Sequence, residues 1–211
     1  MIKPVGESVD ARYLAGERTR RQLVVTAQQM IAEHGEDAIR LRDLTARAGV
    51  NVGAVNYHFG SVRALLAEAT TDAVERIVDA QIRELDALRA QSTMHEIAAA
   101  YFRPMIHMLT GPSSSERAYV RVLARVTTDP PAALQAWADE VTGRAQHALI
   151  GRLRRVLPDI TDDVLRFRAT CVGGVLVLLS AVALQPYIKG RTHEDLETLL
   201  VPVVAGALTG G

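Results

Sequence analysis

Residues 51–59 read NVGAVNYHF, a run of polar, small and aromatic side chains suited to touching a polyanion rather than to making or breaking bonds. In a helix opened by Asn51, Val55 and Phe59 share the face that also carries Val50 at the turn before it. Val52, Gly53, Ala54, Asn56, Tyr57 and His58 are left for the other side. Asn56 can pair with an adenine edge or a phosphate, Val52 and Ala54 can touch thymine methyl groups, and Gly53 lets backbone come close. Tyr57 and His58 suit phosphate oxygens, the commoner, positioning kind of contact. Arg40, Arg42, Thr45 and Arg63 flank the run. Periodicity turns Arg42 and Thr45 outward, and an arginine in reach of guanine O6 and N7 makes the commonest specific base contact.

Bond-making chemistry finds no comparable set. The chain has no Gly-rich phosphate loop, no metal-ligand spacing and no nucleophile beside a base, so no enzyme, metal or cofactor is expected. His107 has no second histidine at i+4. Cys171 is the only cysteine, which excludes an intrachain disulfide and a cysteine-based zinc site and fits a reducing cytoplasm. It sits in an uncharged run, residues 169–184, which is unfavourable for the thiolate that a redox sensor needs.

The elements that must position residues 51–59 are short and local. Leu41, Leu44 and Ala48 recur on one side of a helix 41–48, while Arg42, Asp43, Thr45 and Arg47 point away. Gly49 ends it as a left-handed cap, and Asn51 caps the helix 52–59. Two short helices joined by a glycine-containing turn are the helix-turn-helix pattern, whose second helix enters the DNA major groove. A preceding helix from Glu17 or Arg18 to His34, stopped by Gly35, braces the pair. Its first turn holds Arg18, Arg20 and Arg21, against the helix dipole. Two readings stay open for these cations, a polyanion partner and a solvated surface. Residues 1–16 show no period and are expected to be a flexible arm, either a disordered tail or an arm reaching toward DNA.

The stretch 41–66, LRDLTARAGVNVGAVNYHFGSVRALL, resembles the signature of the TetR family of transcriptional regulators. Arg42, Asp43, Ala48, Gly49, Val50, Gly53, His58, Phe59, Ser61, Leu65 and Leu66 match it. The resemblance implies a dimeric, ligand-responsive transcription factor, most often a repressor, that binds a double-stranded operator. In this family the position of Arg42 can reach a base or the backbone. Three positions depart from the pattern. Arg40 replaces a threonine or serine helix cap, Asn56 replaces a phosphate-binding tyrosine, and Val62 replaces a phosphate-binding lysine. Tyr57 and Arg63 are candidate substitutes, and Arg40 itself could face a phosphate.

Beyond residue 60 the chain reads as further helices. Ser61 caps a long one to about Ala90 that links head and body. Helices follow over 93–110 with a kink at Pro104, then over 115–128, 132–157, 163–184 and 193–208. The fold class is all-α: an arm over 1–16, a three-helix helix-turn-helix domain over 17–63, and a larger helical effector-binding and dimerisation domain over 64–211. An effector pocket between body helices would draw on Tyr101, Phe102, Met105, His107, Met108, Tyr119, Arg121, Arg125 and Trp137, residue types that also fill plain cores. The helix 163–184 is apolar nearly all round, and Gly173 and Gly174 admit a close neighbour. With Leu176, Val177 and the Leu196, Leu199, Leu200 and Val203 row of the last helix, it forms the natural seam of a homodimeric four-helix bundle. The resemblance implies the same arrangement.

Lys plus Arg equals Asp plus Glu at 24 each, so a globally basic coat is absent. Residues 18–63 nevertheless carry seven arginines against four acids, as duplex binding through one small domain requires. The N-terminus lacks a signal-peptide pattern, and the run 169–184 is too short and too interrupted for a membrane span. No membrane partner is expected, and the location is cytoplasmic. A helical sensor that passes a small-molecule signal to a protein partner without specific DNA binding is the alternative, favoured by the departures at Asn56 and Val62.

Overall fold

The computed structural model describes residues 6–180 and 185–210, and side chains from residue 13 onward except at 176, 177, 180 and 185. All regular elements among them are helical. In order they are α1 (Gly6–His34), α2 (Leu41–Ala48), α3 (Val52–Phe59), α4 (Val62–Asp86), α5 (Met94–Thr110), α6 (Ser114–Thr128), α7 (Gln135–Val156), α8 (Asp162–Ser180), α9 (Gln185–Ile188) and α10 (His193–Thr209). Single 3₁₀ turns at Glu36–Ala38 and Ala132–Leu134 precede α2 and α7. The chain divides into two compact units between Thr71 and Asp72, inside α4.

In the first unit α1 begins at Gly6, so residues 6–16 are helical where a flexible arm is expected from their lack of period. Gly16 costs only about 1 kcal/mol in a helix interior and does not interrupt it. Leu23, Val24, Ala27, Met30 and Ile31 form its buried face and pack on α2 and α3, whose inward side chains are Leu44, Ala48 and Val55. Gly35, at φ 81°, stops the helix in a conformation that other residues rarely adopt. Ser61 Oγ accepts the Ala64 N–H at 3.1 Å and opens α4, with Leu65, Leu66 and Ala69 buried.

The second unit is a helical bundle around Ile77, Leu85, Phe102, Met105, Ile106, Leu149, Leu153 and Leu165. α5 packs along α10, and α8 lies against α6, α7 and α10. Capping boxes open α5 at Thr93 with Glu96 and α10 at Thr192 with Asp195. Both carboxyls are held below the usual range by the backbone N–H of the cap residue and by its hydroxyl. Pro104 lies inside α5, which is one element from Met94 to Thr110 as the sequence leads one to expect. A proline removes one hydrogen bond, which the packing of Tyr101, Phe102, Met105 and Ile106 on both sides of it offsets. The four last residues of the expected helix 163–184, 181–184, lie outside the described residues.

Candidate nucleic-acid interface

The turn between α2 and α3 is made by two caps. Gly49 adopts the left-handed conformation, φ 65° and ψ 29°, and the Gly49 and Val50 N–H groups donate to the carbonyls of Ala46 and Thr45. Gln22 of α1 donates Nε2–H to the Ala48 carbonyl at 2.7 Å, satisfying another free group at the same helix end. Asn51 is extended, and its Oδ1 accepts the Ala54 N–H at 2.9 Å. A Cβ at Gly53 would lie 3.3 Å from that Oδ1, so the glycine gives the cap its room as well as thinning the helix surface.

On the outside of α3, Asn51, Val52, Gly53, Asn56 and Tyr57 are exposed, and Ala54 is half-buried. Tyr57 is 85% exposed, an unusual placement for an aromatic ring that no core requires. Its ring meets His58 edge-on at 4.9 Å. His58 is half-buried, and a Cβ at Gly16 would come within 3.8 Å of its Cε1, so its ring leans toward α1 rather than standing in the outward row. Val55 is fully buried.

Thr45 does not face outward. It is 3% exposed, and its hydroxyl donates back to the Leu41 and Arg42 carbonyls at 3.0 and 3.2 Å within α2. The packing of α1 on α2 widens the buried face by one position, which eight residues of periodicity do not resolve.

The arginines divide sharply. Arg47 makes a two-pronged pair with Glu33 at 2.5 and 2.7 Å, and that hydrogen bond raises its pKa. Arg20 reaches Glu68 at 2.6 Å and stacks 5.1 Å from the Phe59 ring centroid. Arg40 stands at the N-cap of α2 without capping it, and its Nη1 donates to the Asp37 carbonyl at 2.8 Å, closing the 3₁₀ turn. Arg63 acts on Glu36, whose carboxyl is pushed up by burial and by Asp37 and pulled down by Arg63. Among the described residues of this unit, the side chains of Arg18, Arg21, Arg42 and Arg63 are exposed and make no ion pair or hydrogen bond. The domain therefore exposes a cation, Arg42 on α2, and on α3 the mixed polar-apolar row Val52, Asn56 and Tyr57, fit for a groove.

Within the body a cleft of about 290 Å³ opens between α4, α5, α6, α7 and α8. Val78, Tyr101, Leu123, Ala145 and Ala169 give it an apolar interior, and Gln81, Thr142, Gln146 and Thr170 add polar groups. Gln81 is 1% exposed and donates Nε2–H to the Tyr101 carbonyl at 3.1 Å. Burial pushes the Tyr101 phenol up to about 12, with a hydrogen bond from Gln81 opposing. Of the residues expected to line a pocket, Tyr101 does so. Phe102 and Met105 are bundle core. His107 and Met108 border a shallow groove beside Arg103 and Glu84, Tyr119 and Met108 border another, Arg125 is exposed, and Trp137 donates Nε1–H to Glu75 at 3.3 Å. Arg121 is half-buried outside the cleft. Size and softness select core residues as readily as lining ones; Gln81, a buried amide in an apolar row, is the signal that marks the cleft.

The expected seam residues also separate. Leu196 is buried within the bundle and Leu200 half-buried, whereas Leu199 and Val203 are exposed, Val203 at 64%. On α8, Val164, Phe167, Cys171, Gly174 and Leu178 form one exposed stripe, with Phe167 at 68%. Cys171 is thus at the surface rather than inside the apolar run. Gly173 turns inward and lines the cleft. The side chains of Leu176 and Val177 lie outside the described residues. Among those residues no helix is long and apolar enough to cross a membrane, and no group of three or more His, Cys, Asp and Glu is placed to hold a metal ion.

Comparison with known proteins agrees with this geometry. Residues 23–69 match the family described as bacterial regulatory proteins, tetR family, and residues 99–208 match the tetracyclin repressor-like C-terminal domain. The helix-turn-helix transcriptional dual regulator CecR of Shigella flexneri is 30% identical over 108 residues, 47% of this chain and 48% of its own. The chain thus spans about half the length of the curated relative it matches. The TetR-family regulator PfmR of Thermus thermophilus shares the fold at TM-score 0.65 and 17% identity, over 87% of this chain and 96% of its own. A TetR-family member of Streptomyces coelicolor does so at 0.61 and 23%, over 90% of each chain. A protein of Saccharomonospora viridis solved in complex with choline gives 0.61 and 18%, over 89% and 96%. With family matches on both units and covering more than half of its length, the chain belongs to the TetR family of bacterial transcriptional regulators.

Proposed function

We propose that the protein is a homodimeric repressor that binds a palindromic operator through two copies of α3 and leaves it when a small molecule occupies the body cleft. The observation that carries this reading is the exposed row Val52, Asn56 and Tyr57 on a helix whose opposite face is fully buried at Val55, together with the exposed, unpaired Arg42 side chain of the preceding helix. Such a row supplies base-edge and phosphate contacts from one short helix. Two copies set about 34 Å apart read successive major grooves and make up for the modest charge of each.

The exposed stripes Val164–Phe167–Leu178 and Leu199–Val203 support the dimer, because apolar rows of this length on two helices call for a cover. The cleft supports the effector, and the choline complex of the Saccharomonospora viridis protein is an instance of a small molecule held on this fold. The effector would act by favouring one arrangement of α4, the helix common to both units, and must differ in affinity between states by a few kcal/mol to switch binding. Nuclease footprinting on the DNA upstream of the protein's own coding region tests the reading. Two protected half-sites, one helical turn apart, are expected. Uniform cleavage at protein concentrations that saturate other regulators would contradict it.

A further inference from the structure

The lining of the body cleft is biased in charge. It adjoins a second, outer cavity of about 330 Å³, the two sharing Thr127, Asp139 and Thr142. The outer cavity is formed at the C-terminal end of α6, where the helix leaves its last carbonyls and Asp129 follows as the cap. Asp129 and Asp139 therefore stand at the mouth together with the negative end of a helix. Among the described residues no Lys, Arg or His lines either cavity, in a chain with 24 lysines and arginines.

Several arginines of the surrounding helices are engaged elsewhere, and Arg121 and Arg125 of α6 and Arg155 of α7, which have no such partner among the described residues, line neither cavity. On α7, Arg144 pairs with Asp79 at 2.6 Å, Arg152 donates to the Leu88 and Asp86 carbonyls, and Arg154 pairs with Asp162. On α8, Arg166 pairs with Asp163, and Arg168 donates to the Leu208 and Thr209 carbonyls. Tyr101, at the inner end, stays a neutral phenol at physiological pH. Asp139 is exposed, and among the described residues its carboxylate accepts from Gln135 Nε2 at 3.1 Å alone, so it keeps acceptor capacity. The inner wall of Val78, Leu123, Ala145 and Ala169 is apolar.

We infer that the cleft takes a small organic monocation, an amine or quaternary ammonium at Asp139 and Asp129 with an apolar body reaching inward to Tyr101. An anion of the same shape would be repelled at the mouth and would find no cationic partner inside. At about 290 Å³ the inner space lies at the small end of ligand pockets, about 300 to 1,000 Å³, so the apolar body is short. The inference rests on the effector reading of the cleft and narrows it to a class.

Isothermal titration of the full-length protein with hexyltrimethylammonium, hexanoate and 1-hexanol separates the possibilities, since the three share a six-carbon tail and differ in charge. Hexyltrimethylammonium is expected to bind once per protomer and at least about tenfold more tightly than either partner, a difference of about 1.4 kcal/mol. Asp139→Asn keeps the amide-compatible contact to Gln135 and the unfolding temperature, and should erase that preference; Asp129→Asn should weaken it. Equal or tighter binding of hexanoate, no binding of hexyltrimethylammonium at millimolar concentration, or an unchanged preference in both variants would overturn the inference. Adding the same compounds to the operator complex tests the parent reading apart from this one. Release by the cation supports both, binding without release upholds the ligand class and removes the effector role, and release by hexanoate alone upholds the effector role and removes the ligand class.

Discussion

Asn51 Oδ1 accepts the backbone N–H of Ala54 at 2.9 Å, so one side chain both starts α3 and stands at the exposed edge of the face proposed to read DNA. Asn51→Ala should lower the stability of the protein by about 1 kcal/mol, the worth of an N-cap. Asn51→Asp preserves the cap and is favoured by the helix dipole, yet places a negative charge next to phosphate. Thermal unfolding of the aspartate variant should match the parent while its operator affinity falls. A matching loss of both would assign Asn51 to folding alone.

Arg42 and Arg40 should behave oppositely. Arg42 is exposed without a partner, so Arg42→Ala is expected to weaken operator binding and to flatten the slope of log K against log salt by about 2 for a dimer, one phosphate per protomer. Arg40 is tied to the Asp37 carbonyl, so Arg40→Ala should leave the slope unchanged and cost some stability in the turn before α2. A reversed order, measured by fluorescence anisotropy in a salt series, would make Arg40 the anchor.

What the sequence discloses about this region is what local signals encode. Gly49 and Asn51 announce the turn because a left-handed residue and a side-chain cap are needed within three positions. The partners of Arg47 and Arg20 are 14 and 48 residues distant, and no spacing rule links Arg20 to Glu68. The cleft is harder still. Its wall joins Gln81, Tyr101, Leu123, Gly143 and Gly173 from five helices, and only their packing brings them together. Ranking aromatic and soft residues by size picks out Phe102 and Met105, which the bundle needs for its core.

The exposed stripe on α8 predicts a change of assembly. Phe167→Glu puts a charge in the middle of the apolar row Val164, Phe167 and Leu178, and burying it unpaired against a second copy would cost several kcal/mol. Sedimentation equilibrium should show a dimer for the parent and a monomer for the variant, with helix content unchanged by circular dichroism. A dimeric variant would move the seam elsewhere.

Glu36 carries a pH signature. Its Oε2 is buried without a hydrogen-bond partner, and burial raises its pKa above the unfolded value of about 4.3. The stability it contributes is full below that unfolded value and is lost as pH rises through the folded pKa. Glu36→Gln removes the titration, so the variant should unfold at a higher temperature than the parent at pH 7, with the gap closing toward pH 4. A gap independent of pH would mean that the carboxyl does not titrate in this window.

Operator binding measured by fluorescence anisotropy as a function of salt, with the parent and Asn56→Ala, tests the account at its centre. The parent should bind a palindromic fragment as two protomers, with a steep negative salt slope and a preference over scrambled DNA of at least about 10³-fold. Asn56→Ala should reduce that preference while leaving binding to scrambled DNA unchanged. Equal affinity for palindromic and scrambled fragments, or a parent indistinguishable from Asn56→Ala, would contradict the assignment of α3 as the reading helix.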